Sequence, residues 1–196
     1  MQSTDARSNA ARSNAARSEQ TRRALVDAAR SLFVERGFDG TPTPAIVERA
    51  GLTRGALYHH FADKRELFRA VAEEESAAVA AEIEASAPAD LDPAEALRRG
   101  SISYLDAMAH PGRTRLLLLD GPAVLGLAAM TSIDDGNAAR TLREGLDAVR
   151  PGADNTALAS LLSAAFDRAA LEIGAGTDPA AIREAMLHVI DRVAWV

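Results

Sequence analysis

The chain has 196 residues, 47% of them hydrophobic, which is enough for a small head and a larger body with a buried core. It contains no cysteine, so disulfides and thiolate metal sites are excluded and a cytoplasmic location is expected. The net charge is −6, but residues 1–69 carry 12 Lys and Arg against 8 Asp and Glu, whereas residues 70–196 carry 10 against 20. This division is typical of a nucleic-acid-binding head on an acidic body, with chance unevenness in an arginine-rich chain as the alternative.

The first 18 residues repeat the sequence RSNAA, with arginines at Arg7, Arg12 and Arg17. A period of five residues fits neither a helix nor a strand, so residues 1–18 are predicted to form a flexible, arginine-rich arm. Such an arm could contact the minor groove or the phosphates of DNA, or it could be a disordered tail.

A first helix is predicted from Glu19, with Ser18 as its N-cap and Gly37 as the glycine that ends it. Its apolar residues recur at helical spacing, at Leu25, Ala28, Ala29, Leu32 and Phe33. A short second helix follows in TPTPAIVERAG, residues 41–51. Thr41 or Thr43 is the predicted cap of this helix, because a proline then falls in its first turn.

A third helix, residues 53–61, is predicted to begin at Thr53 and to bury Leu57 and Phe61, which lie one i, i+4 step apart. The tight turn at residues 51–52 makes the second and third helices a helix-turn-helix, in which the later helix lies in the major groove of DNA. The opposite face of the third helix then presents Arg54, Gly55, Tyr58 and His59.

Asp63 and Glu66 have the spacing of a capping box, which predicts a fourth helix from residue 63 to about residue 85. Lys64, the only lysine of the chain, falls in the first turn, where a positive charge opposes the helix dipole. A phosphate ligand would explain this lysine, and chance is the alternative. His59 and His60 diverge by about 100° and cannot chelate a metal together, so no metal site is predicted.

Residues 94–196 are predicted to form further helices, with turns at residues 110–112, 120–121, 134–136, 150–152 and 174–179. No stretch alternates with a period of two, so the fold class is predicted to be all-α. The longest apolar run, residues 116–130, is interrupted at residues 120–122 and falls short of the roughly 20 residues that a membrane helix needs, so no membrane partner is expected.

Two apolar stripes near the C-terminus occupy residues 156–174 and residues 179–194. Each is richer than one contact surface requires, and small residues such as Ser160, Ala164 and Ala181 would let helices approach closely. These features predict a homodimer in which the two segments of each copy form a four-helix interface, with an ordinary internal core as the alternative.

The segment ERGFDGTPTPAIVERAGLTRGALYHHFADKRELFRAV, residues 35–71, resembles the DNA-binding domain of the TetR family of bacterial repressors. The chain departs from the family pattern at Pro42, where Ser or Thr is usual, and at Val47, where a small Ala is usual. The matched positions are Gly37, Phe38, Thr41, Ile46, Ala50, Gly51, Gly55, Leu57, Tyr58, His60, Phe61, Lys64 and Leu67.

The resemblance implies a homodimeric repressor that a small, apolar effector releases from double-stranded operator DNA. It implies a helix-turn-helix DNA-binding domain at residues 19–66 and an effector-binding and dimerisation domain at residues 67–196. By matched position, the residues that face DNA are Thr43, Thr53, Arg54, Gly55, Ala56, Tyr58, His59 and Lys64.

Residues 113–130, RTRLLLLDGPAVLGLAAM, resemble a stretch of a subset of these repressors and are predicted to wall the effector pocket. This stretch would place one carboxylate inside the pocket, with a place in the core as the favoured alternative for any single residue. The candidate ligand-binding residues are Tyr104, Met108, His110, Leu117, Asp120, Val124, Leu127, Met130 and Phe166.

An enzyme and an interaction protein are the two alternative classes of protein. An enzyme is disfavoured because the sequence has no cysteine nucleophile, no GxSxG motif and no phosphate-binding loop, and no cofactor is predicted. A helical interaction protein that retains the head without operator control is the alternative function.

Overall fold

The computed structural model describes residues 3–88 and 90–194, with side chains described from residue 14 onward. Within those ranges the secondary structure is helical and includes no strand, which confirms the predicted all-α class. The elements in chain order are α1 Ser3–Arg36, α2 Thr43–Arg49, α3 Arg54–His60, α4 Lys64–Ser86, α5 Pro93–Met108, a π-helical segment Arg115–Asp120, α6 Gly121–Leu125, α7 Leu127–Asp135, α8 Ala138–Val149, α9 Thr156–Gly174 and α10 Pro179–Ala194.

The chain divides into two compact units, a head that ends at Val71 and a body that begins at Ala72. The division falls within α4, after Val71 rather than after Glu66, where the sequence placed it. Among the helices of the described ranges, none is long and apolar enough to cross a membrane.

The N-terminal segment is helical from Ser3, so the prediction of a flexible arm without secondary structure is wrong for residues 3–18. The segment is rich in Ala and Arg and has neither Gly nor Pro, and such residues extend a helix at little cost once the packed part has formed it. Residues 1 and 2 of the predicted arm, and the side chains of Arg7 and Arg12, lie outside the described residues.

Three phenylalanines form the centre of the head. The ring of Phe33 lies 5.1 Å from that of Phe68 and 5.7 Å from that of Phe38, while the Phe38 and Phe68 rings are 5.4 Å apart. The predicted apolar face of α1 is buried around them, including Leu25 and Leu32. Aromatic pairs at these distances stabilise a small core beyond their buried area.

The turn between α1 and α2 uses its threonines differently from the prediction. The N-cap position of α2 is Pro42, which makes no side-chain cap, and Thr43 is the first residue of the helix. Thr41 is fully buried, and its hydroxyl lies 2.7 Å from the carbonyl oxygen of Gly37 and 3.1 Å from that of Leu32. A threonine cap of α2 was therefore a wrong prediction, because the Thr41 hydroxyl instead contacts backbone carbonyls in the last turn of α1 and just after it.

In the body, α5 packs against α8, α9 and α10. Parts of both predicted C-terminal stripes enter this internal core. Its buried side chains are Leu97, Leu105, Leu146, Ala159, Leu162, Phe166, Ala169, Met186 and Ile190.

A buried arginine joins α4 to the turn after α5. Arg113 is only 6% exposed, and its Nε donates to the Glu75 carboxylate at 2.9 Å. Its Nη1 donates to the Glu82 carboxylate and to the Ala107 carbonyl oxygen, both at 2.8 Å. Because a buried charge is tolerated only when it is paired, this group of contacts fixes the turn against α4.

The predicted turn at residues 120–121 is also wrong. Asp120 is the last residue of the π-helical segment and Gly121 is the first residue of α6. The helical path breaks instead at Gly126, whose φ of 88° is open to glycine and strained for other residues. The turns predicted at residues 110–112, 150–152 and 174–179 are confirmed, whereas the turn predicted at residues 134–136 lies at residues 136–137, after the end of α7.

Candidate functional site

The orientation of α3 is fixed by its buried residues and by its cap. Leu57 is fully buried and Phe61 is 3% exposed, as the i, i+4 spacing predicted. The Thr53 side chain accepts a hydrogen bond from the Ala56 backbone N–H at 3.2 Å, which confirms the predicted cap. These contacts fix the inward side of α3 within the head, and its opposite side faces solvent.

That solvent-facing side carries Arg54, Gly55, Tyr58 and His59, all of them exposed. The Arg54 guanidinium lies 5.6 Å from the centre of the Tyr58 ring. Hydrogen bonds from the Arg54 guanidinium, and then from the Thr43 hydroxyl of α2, lower the pKa of the Tyr58 phenol. The two short helices therefore present one connected surface, and three of the predicted DNA-facing residues meet at Tyr58.

Gly55 has no internal reason to be glycine. A Cβ built at this position would meet only the Thr53 hydroxyl oxygen, at 3.8 Å, which is an ordinary contact. The residue sits on the exposed face of α3, where the missing side chain leaves room for an approaching molecule. Ala56, the neighbouring candidate, is partly buried.

Lys64 is turned toward the protein. Its ammonium donates a hydrogen bond of 2.8 Å to the Phe38 carbonyl oxygen and lies 4.0 Å from the centre of the Phe38 ring. This contact explains a lysine in the first turn of α4 without a phosphate, so the structure favours a packing role for Lys64 over the predicted DNA contact. Asp63 caps α4 as predicted, because its carboxylate accepts from the Glu66 backbone N–H at 2.7 Å, but the Glu66 carboxylate accepts from the Ala62 N–H rather than from the Asp63 N–H that a capping box uses.

The body contains a cavity of about 200 Å³ between α4, α5, α8 and α9, called here the α5–α9 cavity. Tyr104 and Phe166, two of the predicted ligand-binding residues, line it with their rings 5.5 Å apart. The rest of its wall is formed by Ile83, Glu84, Ala87, Ala96, Leu97, Gly100, Ser101, Ala138, Thr141, Leu142, Glu144, Gly145 and Ser163.

The other predicted ligand-binding residues lie elsewhere. Met108 and His110 line a second cavity, of about 580 Å³, beside the π-helical segment and the end of α9. Neither of these two cavities is lined by the remaining candidates, which are Leu117, Asp120, Val124, Leu127 and Met130.

The stretch 113–130 contributes Thr114, Arg115 and Leu119 to the second cavity, beside Met108 and His110, and it contributes no residue to the wall of the α5–α9 cavity. The stretch is divided into a π-helical segment and two short helices. Leu117 and Met130 are buried in the body, whereas Leu127 is 74% exposed after the break at Gly126. Asp120 lies 3.2 Å from the Arg115 guanidinium rather than in a pocket.

Two carboxylates lie directly behind the wall of the α5–α9 cavity. The Tyr104 hydroxyl donates to Asp167 at 2.6 Å, and the Ser163 hydroxyl donates to Asp134 at 3.2 Å. Burial, and then the charge of Asp167, raise the pKa of Asp134 to about 6. Burial also raises the pKa of Asp167 and, together with the Asp167 charge, that of the Tyr104 phenol. Of the residues that the structure describes, no three acidic or histidine side chains gather as a metal site would require.

Comparison with known proteins finds one family model that matches most of the head and another that matches most of the body. The family model for bacterial regulatory proteins of the tetR family matches residues 25–71. The family model for the tetracyclin repressor-like C-terminal domain matches residues 94–195, which is more than half of the chain. The chain belongs to the TetR family.

Individual members of the TetR family resemble the chain to different extents. A TetR-family transcriptional regulator from Pectobacterium atrosepticum is 33% identical, with a TM-score of 0.69 over 91% of this chain and 94% of that chain. The transcriptional regulator AcrR of Shigella flexneri is 38% identical over 51% of this chain and 47% of its own length. The repressor AcnR of Corynebacterium efficiens is 40% identical over 31% of this chain and 32% of its own length. The chain thus spans about half or less of the curated relatives that it matches.

The wall of the cavity was largely missed by the sequence analysis of this TetR-family chain. One signal was present on α5, where Leu97, Gly100, Ser101 and Tyr104 recur at helical spacing and two of the four are too small to fill a core. A Cβ at Gly100 would lie 3.3 Å from the Ile83 side chain, so this glycine lets Ile83 of α4 approach α5 closely at the cavity wall.

Proposed function

We propose that this TetR-family chain is a ligand-responsive transcriptional regulator, specifically a repressor, which binds double-stranded operator DNA as a homodimer in the cytoplasm. A small molecule in the α5–α9 cavity releases it from the operator. The family membership supports the class of function, and the geometry of the head supports the mode of binding.

The observation that carries the proposal is the exposed face of α3. Its seven residues form a rod of about 10 Å at 1.5 Å per residue, which fits a major groove about 12 Å wide. Arg54 is suited to a guanine edge or a phosphate, while Tyr58 and His59 can donate to phosphate oxygens. Gly55 lets the helix backbone approach closely, and Thr43 extends the surface to α2.

The homodimer rests on residues of α9 and α10 that the core of the body does not use. Leu161 is 71% exposed and Val189 is 42% exposed, and the small residues Ala164 and Ala185 beside them are exposed as well. Exposed large apolar side chains next to small ones fit a second pair of helices. We assign the face formed by these four residues to contact with the same face of a second copy.

Release follows from linkage between the two activities. Two heads must reach half-sites about 34 to 36 Å apart, one helical turn of DNA. A ligand that prefers a different separation of the heads lowers operator affinity by its differential affinity for the two states. Helix α4 is the natural connection, since the boundary between head and body falls within it.

A gel-shift experiment tests the proposal. The full chain is mixed with DNA from upstream of its own gene, or with a shuffled duplex of the same composition, at two salt concentrations. We expect selective retardation of the upstream DNA and a steep loss of affinity at the higher salt, because phosphate contacts release counterions.

Equal retardation of the two duplexes, or none of either, would contradict the operator-binding function and favour an interaction protein that keeps the head without operator control. The homodimer is checked independently by light scattering at micromolar concentration, where a monomer would contradict it.

A further inference from the structure

The α5–α9 cavity has an apolar body with two aromatic rings. Leu97, Leu142 and Ile83 supply its aliphatic wall, and the Tyr104 and Phe166 rings meet edge to face at 63°. Such a wall fits a hydrocarbon or aryl group, and the faces of aromatic rings also attract cations.

One end of the same cavity is acidic. Ser163 and Tyr104 belong to the wall, and each donates its hydroxyl proton to a carboxylate one hydrogen bond farther out. Since both hydroxyls are used as donors, their oxygens present lone pairs to the cavity. This end of the cavity therefore offers acceptors backed by the negative charge of Asp134 and Asp167.

The two carboxylates are not balanced by a cation of the protein. The ion pairs of the described residues include neither of them, and the charged groups that act on Asp134 are Asp167 and the adjacent Asp135, both acidic. Arg140 of α8 is committed to Glu84 at 2.6 Å and to Glu144 at 3.0 Å, and Arg168 pairs with Glu172. Partly buried carboxylates without a cationic partner are costly, and their raised pKa values have the same origin.

We propose that the α5–α9 cavity binds an amphipathic organic cation, such as a protonated aryl-alkyl amine, with its ammonium at the Ser163 and Tyr104 end and its apolar part against Leu97, Leu142 and Phe166. The cation supplies the charge that Asp134 and Asp167 lack, through charge-assisted hydrogen bonds and attraction to the aromatic rings. An anion is repelled by the same carboxylates. This assignment rests on the proposed function in taking the cavity as the effector site.

The test uses three probes of similar shape and different charge: 4-phenylbutylamine, 4-phenylbutanol and 4-phenylbutyrate. Each is titrated into the full chain at pH 7.5 by calorimetry. The amine is expected to bind at least about tenfold more tightly than the alcohol, the effect of a hydrogen bond to a charged group, and the carboxylate is expected to bind most weakly.

Variants test whether the preference for the amine over the alcohol depends on the two carboxylates. Asp134→Asn and Asp167→Asn should each reduce the preference for the amine over the alcohol by at least about threefold, and a variant that fails to fold leaves the other to report. Asp135→Asn is the comparison variant, because it removes the same charge at the next position of α7 from an exposed side chain whose charge is the smallest cause of the raised pKa of Asp134, and it should reduce the preference less than Asp134→Asn does.

Equal affinity of the wild-type chain for amine and alcohol, or no binding of the amine, would overturn the cation assignment. So would loss of the preference in Asp135→Asn as large as that in Asp134→Asn. Retardation of DNA, measured on the same preparation, reports on the proposed function separately: intact DNA binding without amine preference would overturn only the choice of ligand.

Discussion

At the scale of single residues, Tyr58 connects α2 and α3 in the surface that the head is proposed to present to DNA. Its phenol is shared between Arg54 on its own helix and Thr43 on the preceding one, and its ring is 44% exposed. The exposure of a large aromatic residue is informative here because its neighbours on the inward side, Leu57 and Phe61, are buried. The side chains on the exposed side of α3 therefore contact one another in the absence of DNA.

A substitution of Gly55 should weaken DNA binding without reducing the stability of the fold. Replacing it by alanine should leave the free energy of unfolding unchanged or raise it by up to about 1 kcal/mol, because the new Cβ meets no clash and alanine favours the helix. The same methyl group should weaken DNA binding by about tenfold, since it stands between the helix and the groove. Urea denaturation and a DNA titration of the variant measure the two effects, and unchanged DNA affinity would argue against close approach at α3.

Asp134 makes a prediction about pH. Its folded-state pKa of about 6 lies above the ordinary value of 3.8, so the folded protein holds a proton that the unfolded chain has released between these values. This group therefore lowers the free energy of unfolding as pH rises from about 4 to above 6, by at most about 3 kcal/mol.

In the Asp134→Asn variant that fall in stability should be reduced, and the variant should be at least as stable as the wild type at pH 8. Chemical denaturation at a series of pH values checks this, with the exposed Asp135→Asn variant as a comparison that should keep most of the wild-type fall, because the charge of Asp135 is the smallest cause of the raised pKa of Asp134. A variant that loses stability at pH 8 while keeping the wild-type pH profile would show that Asp134 stabilises the fold as a carboxylate.

At the scale of helices, local rules predicted the head well. The buried face of α3, its Thr53 cap and the Asp63 cap of α4 depend on residues within four positions of one another, which a sequence displays directly. The cap of α2 was mispredicted because the hydroxyl of Thr41 is used by carbonyls up to nine residues earlier in the chain. The π-helical segment was missed because its leucines follow no period that distinguishes it from an α-helix.

Gly121 is predicted to be essential to the packing of α6. Its replacement by alanine would place a Cβ 2.9 Å from the Leu116 carbonyl oxygen and 2.9 Å from the Met130 side chain. We expect a loss of about 1 to 3 kcal/mol, as for other overpacked sites. Gly136→Ala is the control, because the Cβ would lie 3.6 Å from its nearest neighbour, and urea denaturation of both variants makes the comparison. Equal stabilities of the two variants would refute the close approach.

At the scale of the whole molecule, the predictable and unpredictable parts of the site differ in how many segments build them. The DNA-facing surface comes from two short helices adjacent in sequence, so the matched motif could locate it. The α5–α9 cavity is assembled from α4, α5, α8 and α9, and the carboxylates behind it lie on α7 and α9. No local spacing links Tyr104 to Asp167, 63 residues later, and only Tyr104 and Phe166 of the predicted residues line this cavity.

The homodimer is also a property of the whole molecule. Leu161→Glu places a charge in the proposed α9 and α10 interface and should convert the dimer to a monomer at micromolar concentration, because an unpaired buried charge costs several kcal/mol. Leu127→Glu is the matched control, since that leucine is 74% exposed on α7 and should leave the dimer intact. Light scattering of both variants provides the readout, and a Leu161→Glu protein that remains dimeric would move the interface elsewhere.

The central claim, that the exposed face of α3 contacts DNA, is tested most directly by the salt dependence of DNA affinity in the Arg54→Ala variant. Anisotropy titrations with labelled upstream DNA should show weaker binding than wild type and, if Arg54 contacts phosphate, a slope of log affinity against log salt reduced by about 1. Arg36→Ala removes an exposed arginine at the end of α1 and should keep the wild-type slope. Wild-type affinity and slope in Arg54→Ala would contradict the account.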